Sequence, residues 1–202
     1  MRENTERTAL TRERPDNQQE RLNEFIHWLR GFVDGEGCFT IGFVAQPDIP
    51  DPKRPGGYRK AYRTGYQVDH SFDVVQGARS RRCLEKIKNF FGIGHIYRNR
   101  RHDNHREDLY NYEVSKRADL LNVIIPFFRK YPLFTAKQKD FERFAKIVEM
   151  MARGEHKTFN GLVKIARIVQ YMNHRKPRVA LIRILRDHTP GNRAISPYRL
   201  RD

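Results

Sequence analysis

The sequence predicts an α+β fold in which helices pack on one face of an antiparallel sheet. Segments near both ends of the chain carry apolar residues at the spacing of an amphipathic helix, whereas two central regions alternate apolar and polar residues as strands do. The predicted elements follow in the order α-β-β-α-β-β-α-α-α. Strands that come in pairs, with most helices grouped after them, favour this class over a parallel sheet.

The first helix and strand are predicted to follow one another directly. Apolar residues at helical spacing run from Leu22 to Val33, and the helix is expected to end within Asp34–Gly37 because glycine permits the backbone to leave it. Alternation then predicts a strand over 38–44, with Phe39, Ile41 and Phe43 on one face.

The remaining elements are predicted from the same two periodicities. Residues 45–62 contain four prolines and two glycines, so they are expected to form a long loop. The later elements are a strand at 66–76, a basic helix at 79–91 ended by Gly92, a hairpin of 95–101 and 109–115 around the polar loop 102–108, helices at about 117–128, 136–152 and 158–173, and a short last helix from Val179 to Leu185.

Three regions follow from composition. Residues 1–20 carry four arginines and five acids with almost no apolar residue, so we expect a disordered or loosely docked extension. Residues 21–152 are expected to form the main domain. Residues 153–202 are expected to form a C-terminal helical extension with a basic tail.

The charge of the chain predicts a polyanionic partner. Its 202 residues include 40 Lys and Arg against 24 Asp and Glu, a net charge of +16, and residues 53–101 and 174–202 carry much of the excess. Such a charge favours nucleic acid. No apolar run is long enough for a membrane span, and no secretory signal is visible. Two cysteines are too few for a disulfide framework or a Cys-rich zinc site. An intracellular location is therefore expected.

One nine-residue segment indicates a family. Residues 29–37, Leu-Arg-Gly-Phe-Val-Asp-Gly-Glu-Gly, resemble the LAGLIDADG motif of homing endonucleases. Later blocks in the same order extend the resemblance over about residues 22–150: Phe72–Gln76, Leu84–Ile87, Phe91–Gly94, Ile124–Phe128, and Tyr131–Leu133 with Lys137. The resemblance implies an αββαββα core with a concave antiparallel sheet, followed here by extra C-terminal helices.

The motif also predicts an assembly. Gly31 and Gly35 lie four residues apart on one helix face, where missing side chains allow a second helix to approach closely. The chain carries one such motif, so the second helix is expected to come from another copy in a two-fold homodimer. Leu29 and Phe32 are expected to join this interface.

The resemblance implies a metal-dependent active site at the foot of the first helix. Paired Glu36 carboxylates repel each other unless a divalent cation lies between them, and hard oxygen ligands suit Mg²⁺, with Mn²⁺ as a substitute. By resemblance Glu36 binds the metal, with the Gly35 carbonyl as a second ligand. Gln76 orients the attacking water, and Lys137 supports hydrolysis. Lys139 replaces Lys137 if the register slips, and Asp34 is expected to be structural.

The sheet is predicted to bind DNA with the face that points away from the helices. Mixed donors and acceptors on that face suit the reading of base edges, whereas lysines and arginines alone would bind phosphates without sequence preference. The predicted outward residues are Thr40, Gly42, Val44, Gln46, Asp69, Ser71, Asp73, His95, Tyr97, Asn99, Arg101, Asn111 and Glu113. Basic residues of the long loop are expected to extend the contacts: Lys53, Arg54, Arg59, Lys60 and Arg63.

The resemblance therefore implies a homing endonuclease that makes double-strand breaks with 3′ overhangs in a long, partly palindromic DNA site. Its gene is expected to lie in an intron or a similar element. The protein itself is expected in the cytoplasm or nucleoid, or in an organelle that carries its own genome. Two alternatives remain: a maturase that binds the RNA of its host intron, and a DNA-binding regulator that has lost catalysis. Retention of Glu36, Gln76 and Lys137 disfavours the regulator. A basic ribosome-associated protein is a more distant alternative.

Overall fold

The structure is a computed structural model that describes residues 15–46, 49–53, 55–59, 62–99, 107–173 and 179–187. It confirms the α+β class and the predicted order of the main elements. The helices are α1 (Pro15–Glu36), α2 (Arg81–Phe91), α3 (Arg117–Asp119), α4 (Ile125–Lys130), α5 (Lys137–Ala152), α6 (Phe159–Val169) and α7 (Val179–Asp187). The strands are β1 (Gly37–Ala45), β2 (Ile49–Pro50), β3 (Tyr58–Arg59), β4 (Tyr66–Gly77), β5 (His95–Asn99) and β6 (Leu109–Val114).

The main sheet has four antiparallel strands in the order β1-β4-β6-β5. Phe39 pairs with Phe72, which in turn pairs with Val114. Side chains alternate between the two faces of a strand, so these three residues share one face. All are at most 1% exposed, which confirms the predicted sidedness of the sheet.

Aromatic rings fill the space between this face and the helices. The ring of Phe39 lies 5.2 Å from that of Phe72, 5.5 Å from that of Phe128 on α4, and 5.2 Å from that of Phe141 on α5. Each fully buried side chain of this size contributes about 1.5–3 kcal/mol through the hydrophobic effect. The aromatic cluster therefore holds β1, β4, α4 and α5 together.

The first helix begins earlier than its apolar spacing predicted. It starts at Pro15, so residues 15–20 of the predicted N-terminal extension are helical, and residues 1–14 lie outside the described part. Proline is well suited to the first turn of a helix, and Gln18, Gln19 and Glu20 are good helix formers that need no core contact. Periodicity could not find these turns because residues 17–20 are exposed.

The predicted long loop at 45–62 contains a small second sheet. Ile49 pairs with Arg59 and Pro50 with Tyr58. The connection passes through Gly56 and Gly57, whose φ angles of 87° and 71° suit glycine and allow a tight turn. The prolines indicated a loop correctly. Strands of only two residues are too short to show an alternating pattern in the sequence.

The C-terminal helices pack on the same core as the rest of the chain. Buried residues form one continuous cluster from Leu29 to Ile184, and α7 contacts both α6 and β1. Asn173, which follows α6, donates its side-chain amide to the Phe39 carbonyl at 3.1 Å. The predicted helix at Val179–Leu185 is confirmed as α7, whereas the tail after residue 187 lies outside the described residues.

Across the described residues, no helix is both long enough and apolar enough to cross a membrane.

Candidate active site and sheet surface

The last two turns of α1 are tied to the segment that leads into α5. The Asp34 carboxylate accepts hydrogen bonds from the backbone N–H groups of Phe134 (2.7 Å) and Thr135 (3.2 Å) and from the Thr135 hydroxyl (2.7 Å). One turn earlier, the Arg30 guanidinium donates to the Pro132 carbonyl at 2.6 and 3.0 Å and lies 4.3 Å from the centre of the Phe134 ring. These contacts hold the start of α5 against the end of α1.

Lys137, the first residue of α5, reaches the foot of α1. Its ammonium donates to the carbonyl of Val33 at 2.9 Å and to that of Gly35 at 3.1 Å. Burial lowers the pKa of Lys137, and the nearby negative charges of Asp34 and Glu36 oppose this effect. The structure thus brings Lys137 to the segment in which sequence analysis predicted the active site.

Glu36 ends α1 and is exposed. Within the described residues its carboxylate has no hydrogen bond or ion pair, and it lies at the negative end of the helix dipole, where a cation is favoured. Its carboxylate and the Gly35 carbonyl are the hard oxygen donors that suit Mg²⁺. The described residues contain no cluster of three or more His, Cys, Asp and Glu that could hold a metal ion.

Gln76 is brought to the same end of α1 by the register of the sheet. Gly37, the first residue of β1, pairs with Val74 of β4. Gln76 lies two residues further along β4 and on the same face of the strand as Val74, beyond the point where β1 joins α1. The register thus puts Gln76 near the junction of α1 and β1, which Lys137 also reaches. The catalytic roles of Glu36, Gln76 and Lys137 stay predictions.

The predicted contact face of α1 is open in the single chain. Gly31 and Gly35 are exposed, and an added Cβ on either would have no atom within 4 Å. Trp28 is 39% exposed and stacks on the half-buried Phe32 with 4.9 Å between ring centres. The prediction for Leu29 was wrong, because Leu29 is fully buried in the chain's own core. A helix turns about 100° per residue, so Leu29 points nearly opposite to Gly31.

The predicted outward face of the sheet is confirmed as a face by the strand register. Thr40 pairs with Ser71, Gly42 with Asp69, Asp73 with Glu113, His95 with Glu113 and Tyr97 with Asn111, and these positions alternate with the buried ones. Exposure varies along it: Val44, Asp69, His95, Tyr97 and Asn99 are exposed, and most of the others are half-buried.

Five polar residues of this face bind one another. Asn111 donates its amide to the Asp73 carboxylate at 3.0 Å and to the Tyr97 hydroxyl at 2.7 Å, and that hydroxyl donates to Glu113 at 2.7 Å. Ser71 donates to the other oxygen of Asp73, whose pKa is raised by burial. Asn111 lies on the outward face as predicted, but it is only 8% exposed and its amide is engaged by Asp73 and Tyr97.

Sequence analysis missed Gln67 on the same face. Gln67 donates to Asp69 at 2.7 Å and accepts from Gln46 at 3.1 Å. The strand alternation that indicated Asp69 also applies two residues earlier, so Gln67 could have been found.

The basic loop is described only in part. Lys53 and Arg63 are exposed as predicted, and Tyr58 and Tyr62 add exposed aromatic rings that were not predicted. The predicted contacts at Arg54, Lys60 and Arg101, and the Arg59 side chain, lie outside the described residues.

Comparisons with known proteins agree with this geometry. The sequence model of a family described as LAGLIDADG endonuclease matches residues 29–148. A protein of Neurospora crassa named probable intron-encoded endonuclease 2 is 32% identical over 139 residues, which cover 68% of this chain and 27% of that protein. A Podospora anserina protein from ND4 intron 1 is 34% identical over 65% of this chain and 25% of its own length. The chain thus spans about a quarter of these curated relatives.

Solved structures give the same result. The crystal structure of a homing endonuclease, I-TnaI, is 38% identical with a TM-score of 0.65, over 81% of this chain and 97% of that one. The structure of I-SmaMI bound to cleaved DNA is 29% identical with a TM-score of 0.64, over 81% of this chain and 48% of that one.

Proposed function

The chain belongs to the LAGLIDADG endonuclease family, and from this premise we propose that it is a site-specific homing endonuclease that acts as a homodimer on duplex DNA. The observation that carries the proposal is the end of α1. There an exposed Glu36 carboxylate lies beside the Gly35 carbonyl and the Lys137 ammonium. The open glycine face of the same helix supports a second copy, because that copy would supply the second carboxylate.

Each residue at the helix end has a separate role in this proposal. Glu36 and the Gly35 carbonyl hold a divalent cation, Mg²⁺ or Mn²⁺, which when bound supplies Lewis-acid assistance to phosphodiester hydrolysis. Lys137 orients the Gly35 carbonyl and carries positive charge toward the scissile phosphate. Gln76 orients the attacking water.

The outward face of the sheet binds the DNA in this proposal. Exposed donors and acceptors such as Asp69, His95 and Asn99 suit base edges, and the hydrogen-bonded set around Asn111 keeps Asp73, Tyr97 and Glu113 in fixed positions. Two identical faces related by a two-fold axis favour a partly palindromic site. I-SmaMI, a structural relative, has been solved bound to DNA, which supports a DNA partner here.

We further propose that the cuts leave 3′ overhangs across the minor groove and that the target is the allele without the intron. The names of several relatives as intron-encoded endonucleases support an intron origin. We expect the protein to act in the compartment that holds that intron.

The test is cleavage of a randomised DNA library by the full chain with Mg²⁺, beside Ca²⁺ as a binding-only control. We expect Mg²⁺-dependent double-strand cuts with 3′ overhangs at one site. Glu36→Gln is expected to bind the selected site and to cut it at least about 100-fold more slowly, the scale on which single catalytic groups act. Glu142→Gln makes the same chemical change at an exposed position of α5 and is expected to cut normally.

The other outcomes separate the alternatives. Normal cutting by Glu36→Gln would overturn the assignment of Glu36. Specific DNA binding with no cutting in any divalent metal would favour the regulator, and binding of the host intron RNA without DNA cleavage would favour the maturase.

A further inference from the structure

A cavity lies at the part of the sheet where β4 extends past β6, away from the end of α1. The last pair of these strands in that direction is Phe72 with Val114, so residues 66–71 of β4 have no β6 neighbour. The chain that leaves β6 turns into α3 there, and residues of α3 and of the 3₁₀ turn Glu155–Lys157 line the same space. Together they enclose a cavity of about 1070 Å³ that His70, Arg117 and His156 line.

Four nitrogen atoms of these three residues have no hydrogen-bond partner among the described residues. Both ring nitrogens of His70, Nε of Arg117 and Nδ1 of His156 are shielded from solvent, and none has a hydrogen-bond partner in the described part of the chain. Arg117 has one long bond, from Nη1 to the Met151 carbonyl at 3.4 Å. Buried polar groups almost always have partners, so several orphaned nitrogens on residues that line one cavity make it a candidate ligand site.

Basic side chains outnumber acidic ones in the lining, with Arg63, Arg117 and Lys157 against Asp69 and Glu113. Burial lowers the pKa of both His70 and His156, and the Arg117 guanidinium lowers each further. Asp69 and the Val68 carbonyl raise the pKa of His70. The carbonyl is nevertheless not a hydrogen-bond partner, because neither ring nitrogen has one in the described part of the chain. Lys157 adds another cation to the lining. A bound anion would oppose the effect of Arg117 and favour the protonated form of both imidazoles.

The carboxylates that line the cavity are already engaged elsewhere. Asp69 accepts from Gln67 at 2.7 Å, and Glu113 accepts from Tyr97 at 2.7 Å. Among the described residues, neither forms an ion pair with Arg117. Arg117 therefore has no carboxylate in direct contact with it among the described residues, although Asp69 and Glu113 keep their negative charge in the lining.

We propose that this cavity binds a phosphate group through Arg117, His70 and His156. A tetrahedral phosphate presents several acceptor oxygens, which suit donors that come from three different elements, and arginine is well matched to such oxyanions. The cavity is much larger than one phosphate and also includes Thr40 and Gly42 of the outward sheet face. It can therefore hold a free phosphate or nucleotide, or a backbone phosphate of DNA lying on the sheet. None of these residues takes part in the proposed cleavage site.

The direct test is an NMR titration of the full chain, with ¹⁵N-labelled histidines, against inorganic phosphate at constant ionic strength. We expect the imidazole signals of His70 and His156 to shift with saturation and their pKa values to rise, because a bound dianion favours the imidazolium form. Chloride at equal ionic strength is expected to leave both signals unmoved.

Variants separate a built site from general attraction to a basic protein. Arg117→Gln is expected to weaken phosphate binding about tenfold or more, as the loss of a charge-assisted hydrogen bond does. His156→Gln, which changes a less central position, is expected to weaken it also and keeps the test valid if Arg117→Gln folds poorly. Arg167→Gln has the same net charge as Arg117→Gln but changes an exposed residue of α6 outside the cavity, and is expected to bind like the unmodified chain.

Competition with a mixed-sequence DNA duplex identifies the source of the phosphate. Displacement of inorganic phosphate by the duplex at constant ionic strength would assign the site to the DNA backbone, and simultaneous binding of both would assign it to a free phosphate or nucleotide. The proposal is wrong if no shift occurs, or if both cavity variants respond like Arg167→Gln. That failure would leave cleavage through Glu36 unaffected.

Discussion

Three glycines near the end of α1 have different surroundings. A Cβ on Gly37 would lie 2.6 Å from the Val33 side chain and 2.9 Å from its carbonyl, whereas a Cβ on Gly31 or Gly35 would have no atom within 4 Å. None of the three has a positive φ, so the conformational freedom expected of a glycine helix stop is not used. Gly37 instead allows the strand to leave directly over the last turn, and the other two leave a smooth helix surface.

Gly37→Ala is expected to lower the free energy of unfolding by about 1–3 kcal/mol, because the methyl group would collide with backbone as well as side-chain atoms. Gly35→Ala is the matched control, since it adds the same group in open space within a helix and is expected to be neutral or to stabilise by up to about 1 kcal/mol. Urea unfolding at low protein concentration, where association does not contribute, measures both. Equal stability of the two variants would contradict the packing argument.

The family resemblance predicted that Lys137 belongs to the site at the end of α1, but it did not show which atoms the ammonium binds. Lys137 and Gly35 are 102 residues apart, and no local pattern could indicate that the ammonium binds this carbonyl. Leu29 and Gly31 are two residues apart, yet they face opposite directions, and the helical period would have separated them. The burial of Asn111 depends on partners from two neighbouring strands, which alternation alone does not specify.

Among the elements, the junction of α1 with the segment before α5 positions the candidate site. Asp34, Arg30 and Lys137 each bind backbone groups across this junction. The structural role predicted for Asp34 agrees with its three hydrogen bonds to Phe134 and Thr135. Movement at this junction would displace Lys137 from the foot of α1.

Asp34→Ala is expected to lower the free energy of unfolding by about 1–3 kcal/mol, because it leaves backbone N–H groups without their charged acceptor. Asp108→Ala is the control. It removes an exposed ion pair with Arg98 at 2.7 Å and is expected to cost less than about 1 kcal/mol. Urea unfolding of both variants tests the difference, and a larger loss for Asp108→Ala would contradict the role of the junction.

The alternating pattern of the strands predicts which face is buried but not how far each strand extends. Alternation predicted which face of β1 and β4 is buried, because a single hydrophobic core imposes it. Alternation did not predict that β4 continues past β6, because strand length is set by where the partner chain turns away. That mismatch creates the cavity around Arg117, which no sequence motif indicated.

For the whole molecule, the proposal to test is that α1 packs against the same helix of a second copy. In the described part of the chain, Glu36 is the exposed carboxylate at the end of α1, and no cluster of three or more metal-binding side chains is found. The outward face of the same helix combines bare glycines with the exposed ring of Trp28. An exposed aromatic group beside a surface that permits close backbone approach favours an interface between identical helices.

Gly31→Leu tests this interface. The added side chain meets no atom of its own chain, so the stability of the monomer is expected to be unchanged or slightly higher, because glycine is a poor helix former. Between two helices in backbone contact, the same side chain would force them apart, and the dissociation constant of the dimer is expected to rise about tenfold or more. Sedimentation measured with and without DNA gives this constant for both proteins.

Ala118→Leu is the control, since it also adds an exposed leucine side chain, on α3 and far from the glycine face. It is expected to leave association and cleavage unchanged, whereas Gly31→Leu loses both together, because a monomer lacks the second Glu36. Equal association of the two variants would place the dimer contact elsewhere. A chain that stays monomeric on its DNA yet cuts both strands would contradict a site shared between two copies.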